Sequence, residues 1–152
     1  MADTIHKQII DQLKAKVQLA KVVSGYQTNI GDNVYHQSPA PVTDGELPVC
    51  NILDRNVQFD PGALSATHQH ACRMETDIEI YTAGDTAVSE LYAAIGDVIK
   101  VIGTDRQLGG NATNIRLNEY TVQSDYTDQT VASAVLNFTI EFFINLFDPL
   151  NQ

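Results

Sequence analysis

The sequence His68-Gln69-His70-Ala71-Cys72 holds the side chains best suited to chemistry. Alternate side chains of a β-strand point to the same face, so His68, His70 and Cys72 would share one face. Imidazole and thiolate groups together can bind zinc or copper, particularly if His36 or Cys50 comes close in space. The shared face continues, however, into apolar side chains, namely Met74, Ile78 and Ile80. This continuation indicates that His68, His70 and Cys72 form the polar edge of a hydrophobic core. We therefore expect neither a metal nor a cofactor.

Three carboxylates, Glu75, Asp77 and Glu79, occupy the opposite face of the same predicted strand. Carboxylates at alternate positions could hold a cation or act as an acid–base pair, but a half-buried strand ordinarily shows this pattern on its solvated face. The sequence contains no GxSxG, HExxH or GxGxxG motif, and Leu108-Gly109-Gly110 lacks the ending of a phosphate-binding loop. These patterns indicate a protein that is not an enzyme.

The longest regular pattern lies in Ala132–Leu146, where every second residue is apolar. This alternation, together with the Phe, Ile, Val and Thr content, predicts a β-strand with one buried face. Polar residues also recur at every fourth position from Ser133 to Asn145, which an amphipathic helix would accept. A straight strand of this length would measure roughly 50 Å, whereas a compact chain of this size is about 40 Å across. We therefore expect the strand to bend, to carry a bulge, or to protrude and help to build an assembly of copies.

The other patterns predict two helices and three strands, with a long polar loop over Tyr26–Glu46. In chain order they are the helix Ile5–Val23, the strands Leu47–Leu53 and Thr67–Tyr81, the helix from the cap Asp85 to Ile102, and the strand Asn114–Tyr126. Because the helices come singly between pairs of strands, we expect an α+β fold. Its mostly antiparallel sheet would carry both helices on one face. The length suits a single domain over residues 1–152.

Lys7, Lys14 and Lys21 follow one another at seven-residue spacing, away from the apolar face of the first predicted helix. Such a stripe is ordinarily a solvated helix face. In an oligomer of an acidic protein, it would also suit contact with an acidic neighbour. The hypothesis is that these lysines lie at an inter-subunit interface with the carboxylates Glu75, Asp77 and Glu79 of the next copy.

The composition is that of an ordinary globular protein, with 43% hydrophobic and 18% charged residues. A net charge of −10 argues against a protein that grips nucleic-acid phosphates, which requires clustered Lys and Arg. The polar residues 1–8 lack the regions of a signal peptide, and the most apolar stretch is too short and too polar to span a bilayer. With two isolated cysteines that favour free thiols, we expect an intracellular product without a membrane contact.

The order of these elements carries a resemblance to a known family. An amphipathic helix leads to a loop and a short strand with proline, Leu47-Pro48-Val49-Cys50-Asn51-Ile52-Leu53. An alternating strand with acids follows, Glu75-Thr76-Asp77-Ile78-Glu79-Ile80-Tyr81, and then a second helix and a terminal pair of strands. This layout resembles the tail terminator proteins of long-tailed bacteriophages, the family of the lambda minor tail protein U. The resemblance covers nearly the whole chain and consists of element order and size, without a diagnostic motif.

The resemblance implies a structural virion protein without catalytic activity. Members of this family form a hexameric ring on the finished tail tube, stop further tube polymerisation and present a surface to the head–tail connector or stopper protein. The implied partners are therefore other copies of the chain, the tail tube protein and the connector. The implied location is the tail and neck of the virion, and the host cytoplasm during assembly. Genomic DNA would pass through the lumen without specific binding, which an acidic wall favours because it repels phosphates.

Three other interpretations stay open at this point. Another phage neck or tail-tube component would share the small α+β fold and the tendency to form rings. A small metal-dependent enzyme would use His68, His70 and Cys72. A ligand-binding regulatory domain would use the loop Tyr26–Glu46 as a lid.

Overall fold

The computed structural model describes residues 3–38, 47–60, 69–125 and 130–145, which form a five-stranded sheet with two helices on one face. In chain order the elements are α1 (Ile5–Val17), β1 (Val34–His36), β2 (Val49–Phe59), β3 (Gln69–Ala83), α2 (Ala87–Gly103), β4 (Asn114–Asp125) and β5 (Val131–Asn145). The strand order is β1-β2-β3-β5-β4, in which the short β1 runs parallel to β2 and the other described pairs are antiparallel. The predicted α+β fold with a long C-terminal strand is confirmed.

The long strand β5 lies inside the sheet, between β3 and β4. It is paired with β3 over the full length of both strands without a register shift, from Gln69↔Asn145 to Ala83↔Val131. The helical alternative is therefore wrong, and from Val131 to Glu141 β5 has a neighbour on each side, whereas within the described ranges residues 142–145 pair with β3 alone. The expected irregularity lies instead in the strands around it, where β4 has a bulge between Leu117 and Glu119.

The hydrophobic core fills the space between the sheet and the helices. The buried side chains of β5 alternate as the sequence predicted, namely Ala132, Ala134, Leu136, Phe138, Ile140 and Phe142. α1 adds a stripe at a spacing of four residues, formed by Ile5, Ile9, Leu13 and Val17. α2 packs against β3 and β5, and the Thr82 hydroxyl at the end of β3 donates to the Ala87 carbonyl at 2.7 Å. That bond fixes where α2 begins above the sheet.

α1 ends at Val17, and the predicted helix end at Val23 is wrong. The chain turns away at Gln18–Ala20, and the Gly31 N–H donates to the Ala20 carbonyl at 2.9 Å. The Ala20 carbonyl, which would accept a hydrogen bond within a longer helix, therefore accepts one from the Gly31 backbone instead. A separate 3₁₀ turn follows and ends at Gly25, which has a φ of 86°. Gly25 thus ends this short turn and not α1.

β2 is longer than the predicted strand Leu47–Leu53. It continues through Asp54-Arg55-Asn56, whose polar residues favour a turn, and reaches Phe59 with a bulge between Asp54 and Asn56. Pairing with β3 supplies the ladder bonds, so tertiary context overrides the local turn preference. The predicted loop Tyr26–Glu46 likewise contains β1, and its residues 39–46 lie outside the described ranges.

The remaining boundaries differ by small shifts. β3 extends beyond the predicted end at Tyr81 to Ala83, and α2 begins after Thr86 instead of after the predicted cap Asp85. The predicted strand ends Thr67, Tyr126 and Leu146 lie outside the described residues. Thr4 caps α1, since its hydroxyl accepts from the Lys7 N–H at 3.3 Å.

The close approach at Gly31 can be tested with one methyl group. We expect Gly31→Ala to lower the free energy of unfolding by about 2 kcal/mol, because a Cβ would lie 2.6 Å from the Gln18 carbonyl oxygen and 2.9 Å from that of Ala20. The matched control is Gly96→Ala in α2, where a Cβ meets nothing within 4 Å. That change is expected to raise stability by up to about 1 kcal/mol, since alanine favours a helix. Urea unfolding measures both, and a Gly31→Ala protein as stable as wild type would contradict the packing.

Candidate functional site

The sheet face opposite the core is polar, and neither described helix packs on it. Asp77 of β3 lies near its centre and is buried. One of its carboxylate oxygens pairs with the Arg55 guanidinium of β2, and the other accepts from the Asn137 amide of β5 at 2.8 Å. This burial corrects the expectation of a fully solvated acidic face, because the central acid is neutralised and hydrogen-bonded within the chain.

The polar network extends from Asn137 to β4 through Asn118. The Asn118 amide donates to the Asn137 side-chain oxygen and to the Thr139 hydroxyl, both at 2.7 Å. Leu117 pairs with a core residue and Glu119 with Asn137, so Asn118 is the extra residue of the β4 bulge. A bulge redirects a side chain, and here it brings an amide onto the polar face.

The two other predicted acids on this face also have partners within the chain. Glu75 accepts from the Thr139 hydroxyl at 3.1 Å, and Glu79 accepts from the Tyr81 hydroxyl at 3.2 Å. Burial and the neighbouring Glu79 carboxylate raise the pKa of Tyr81, which therefore stays protonated at neutral pH. The three predicted acids do lie together on one face, as the alternation indicated.

The predicted lysine stripe is divided between two segments. Lys7 on α1 lies 3.3 Å from Asp3 and 2.5 Å from Asp11, and the hydrogen bonds to these acids raise the pKa of Lys7. Lys21 lies beyond the end of α1 and pairs with Asp32 at 2.9 Å. Lys14 is half-buried and forms no ion pair with any residue in the described ranges.

Within one chain, the lysine stripe and the three strand acids lie on opposite sides of the sheet. A contact between the two groups therefore requires two copies. The predicted inter-subunit interface remains a prediction.

Within the described ranges, the side chains of the metal hypothesis do not converge. Cys72 is buried in the core, and its thiol donates to the His70 backbone carbonyl at 3.6 Å. Burial raises the pKa of the Cys72 thiol and raises that of Cys50 to about 12, so both cysteines are protonated free thiols at neutral pH. His68 lies outside the described residues, and among the side chains that are described no three potential ligands form a metal-binding group.

A cluster that the sequence did not predict joins α1, β1 and β2. The Asp54 carboxylate pairs with His6 Nε2 at 2.8 Å through one oxygen and with His36 Nε2 at 2.5 Å through the other. The Gln37 amide donates to the same carboxylate at 3.0 Å. Although burial raises the pKa of Asp54, the hydrogen bonds from Gln37, His36 and His6 outweigh it and lower that pKa to about 2. His36, a candidate fourth metal ligand, thus serves as a carboxylate partner.

No helix within the described ranges is long and apolar enough to cross a membrane. No protein-family model matches the chain, and no curated protein matches it. Among solved structures, the chain is similar to a chain of the "virion of native gene transfer agent (GTA) particle", with 17% sequence identity and a TM-score of 0.49. The match covers 88% of this chain and 91% of the other. A likeness of this degree does not by itself assign a family or an activity.

The Asp54 cluster makes the free energy of unfolding decrease as the pH falls into the acid range. The folded pKa of about 2 lies below the ordinary value of 3.8, so the unfolded chain binds more protons between these values. The stabilisation is therefore present above the ordinary value and is lost as the pH falls through the folded pKa. Asp54→Asn should lower the free energy of unfolding by about 1 kcal/mol near pH 5, after allowance for solvent screening.

The measurement is denaturant unfolding of both proteins at several pH values from about 5 down to about 2. The stability difference between wild type and Asp54→Asn should shrink toward the acid end of this range. A difference that stays constant over the range would contradict the depressed pKa.

Proposed function

We propose that this protein is a structural virion protein that forms a ring at the head-proximal end of a phage tail and terminates tail-tube polymerisation. The observation that carries the proposal is the arrangement of elements. The antiparallel pairs β2–β3 and β4–β5 share one sheet. The first helix, α1, and the second helix, α2, both pack on one face of that sheet. This is the architecture that the resemblance to tail terminators implies.

The charge of the polar sheet face also supports the proposal. It carries carboxylates from three strands, namely Glu75, Asp77, Glu79, Glu119 and Glu141. Its arginines are held by partners on the same face, with Arg55 paired to Asp77 and Arg73 lying 3.9 Å from Glu141. A face with an excess of acids would let DNA pass through a ring lumen and would not retain it.

The proposed partners follow from this role. They are further copies of the chain in a ring of about six, as in the resembling family, which gives a cyclic assembly of the ordinary kind. The ring would contact the tail tube protein on one side and the head–tail connector or stopper protein on the other. It would act in the virion neck, after assembly in the host cytoplasm, and we propose no catalytic role for it.

The test is the effect of the purified protein on polymerisation of the tube protein from the same phage. We expect tubes that become shorter as the protein concentration rises, each with extra density at one end in negative-stain images. Light scattering should show a ring, either free or in the presence of tubes. A tube protein from an unrelated phage is the control, and its length should not change. Incorporation along the whole tube would contradict termination and favour the alternative of a tube component.

The predicted lysine–acid interface gives a second experiment. Changing Lys7, Lys14 and Lys21 together to glutamate should abolish the ring, because like charges would then face each other between copies. Arg106→Glu, a charge reversal at an exposed residue outside the stripe in sequence, is the control and should leave the ring intact. If Glu75 and Glu79 are the partners, changing both to lysine in the triple variant should restore assembly. Rings formed by the triple variant alone would contradict the interface.

A further inference from the structure

We propose that two copies of the free protein join through the outer edge of β4, as an antiparallel pair of β4 strands centred on Thr121. The contact is isologous, because each copy offers the same strand and a two-fold axis passes between the two Thr121 residues. The two five-stranded sheets then become one continuous sheet, with the helices of both copies on the same face. The inference goes beyond the proposed ring and is independent of it, since a ring whose two ends meet different partners has no such axis.

The outer edge of β4 is long and open to another strand. β4 extends over Asn114–Asp125 without a proline or a lysine, and it is the outermost strand on its side of the sheet. α2 packs mainly on β3 and β5, and within the described ranges no strand other than β5 pairs with β4. An edge of this kind presents a row of backbone N–H and C=O groups that can form a ladder with a further strand.

The register with β5 fixes which side chains of β4 lie on each face. Tyr120 and Val122 are paired with the core residues Leu136 and Ala134, so they lie on the helix side. The bulge adds one residue to β4, and Arg116 therefore lies on the polar face. The other side chains on the polar face after the bulge alternate with those on the helix side, namely Glu119, Thr121, Gln123 and Asp125.

The helix side of this edge is apolar and accessible. Tyr120 is 49% exposed, and Val122 is partly buried. In a pair centred on Thr121, Tyr120 of each copy lies opposite Val122 of the other. Pairs of an aromatic and a β-branched side chain are among the favourable cross-strand pairs, and so are Thr–Thr pairs, which the centre of the contact supplies. The strand thus complements itself on both faces.

The charges on the polar face point to a second copy as the occupant. A partner strand that passes the bulge as β5 does, with one residue opposite two, brings Asp125 opposite Arg116. The two-fold axis repeats this pair at the other end of the contact. Arg116 contacts the Asn118 side chain at 3.3 Å and forms no ion pair with another residue in the described part of the chain. Its guanidinium group can therefore bind a carboxylate of another copy, and such complementarity fixes register and orientation.

The neighbouring registers are less favourable. A pair centred on Val122 would place Glu119 opposite Asp125, where like charges repel each other. A pair centred on Tyr120 opposes no acids, but it leaves Arg116 without a carboxylate. A pair centred between two residues would set apolar side chains of one copy beside polar ones of the other. Among these registers, the one centred on Thr121 alone satisfies both faces.

Engineered cysteines test the pairing directly. The contact places the two copies of residue 121 opposite each other, with their Cβ atoms about 5 Å apart. Thr121→Cys should therefore form an inter-chain disulfide on mild oxidation, as seen on a non-reducing gel. Wild type should form none, because Cys50 and Cys72 are buried. The matched control is Gln123→Cys, an exposed residue on the same face of the same strand, whose two copies would lie roughly 14 Å apart.

A charge exchange tests the register by a second route. Arg116→Asp and Asp125→Arg should each raise the dissociation constant of the dimer about tenfold, because each change sets like charges opposite each other twice. An equimolar mixture of the two variants should dimerise like wild type, since both pairs of the mixed dimer again join an arginine to an aspartate. Arg106→Asp, an exposed change outside β4, is the control and should leave the dimer intact. Sedimentation velocity without tail tubes measures all these samples.

Several outcomes would overturn the contact. They are a wild-type protein that is monomeric or found only as rings, a Thr121→Cys protein that forms no more disulfide than Gln123→Cys, and a mixture no more dimeric than its two components. Circular dichroism shows whether the charge variants are folded, and the disulfide test does not depend on them. The tube-length assay separates the two proposals. Dimers that leave tubes unchanged contradict termination only, and shorter tubes from a protein without this dimer contradict the β4 contact only.

Discussion

The uninterrupted pairing of β3 with β5 determines both faces of the sheet. Each strand is 15 residues long, and every residue of one has a partner on the other. Pairs such as Ile78↔Leu136 lie in the core, and the neighbouring pair Asp77↔Asn137 lies on the polar face. A slip by one residue would bring the acids into the core and the aliphatic side chains to the polar face. The same register therefore stabilises the core and assembles the polar network.

A second constraint holds the segment after α1 against α2. The Asp97 carboxylate is buried and accepts from the N–H groups of Gln27 and Thr28 and from the Thr28 hydroxyl. A buried carboxylate is costly unless it is fully hydrogen-bonded, and here the backbone of one loop supplies the donors. Gly31 then lets this loop approach the carbonyls that follow α1. The loop is thus fixed at both ends, which gives the exposed residues between them a definite position.

Sequence periodicity predicted the parts of the fold that depend on one strand or helix at a time. The alternation in β5 and β3 identified the buried face and placed Glu75, Asp77 and Glu79 together, because side-chain direction in a strand follows from residue parity alone. It did not predict that Asp77 is buried, since the arginine and the amide that surround it come from other strands. The helix end at Val17 and the continuation of β2 through Asp54 likewise depend on partners distant in the chain.

The His6–Asp54–His36 cluster shows the same limit at the level of a site. Its members are separated by 48 and 18 residues and belong to three elements. No spacing rule connects them, and His6 lies on a helix whose pattern indicated only packing. Such a cluster follows from the tertiary fold and becomes visible only when the elements have been placed.

The positive charges of this acidic chain are divided between the two sides of the sheet. Arg55, Arg73 and Arg116 lie on the polar sheet face, where their planar guanidinium groups meet carboxylates and an amide of the same chain. The lysines lie instead on the helices and in the segment after α1. At physiological salt, charges further apart than about 8 Å are largely screened, so the net charge of −10 opposes association less than its size suggests. Local charge, and not the net charge, would therefore govern a contact made by either side of the sheet.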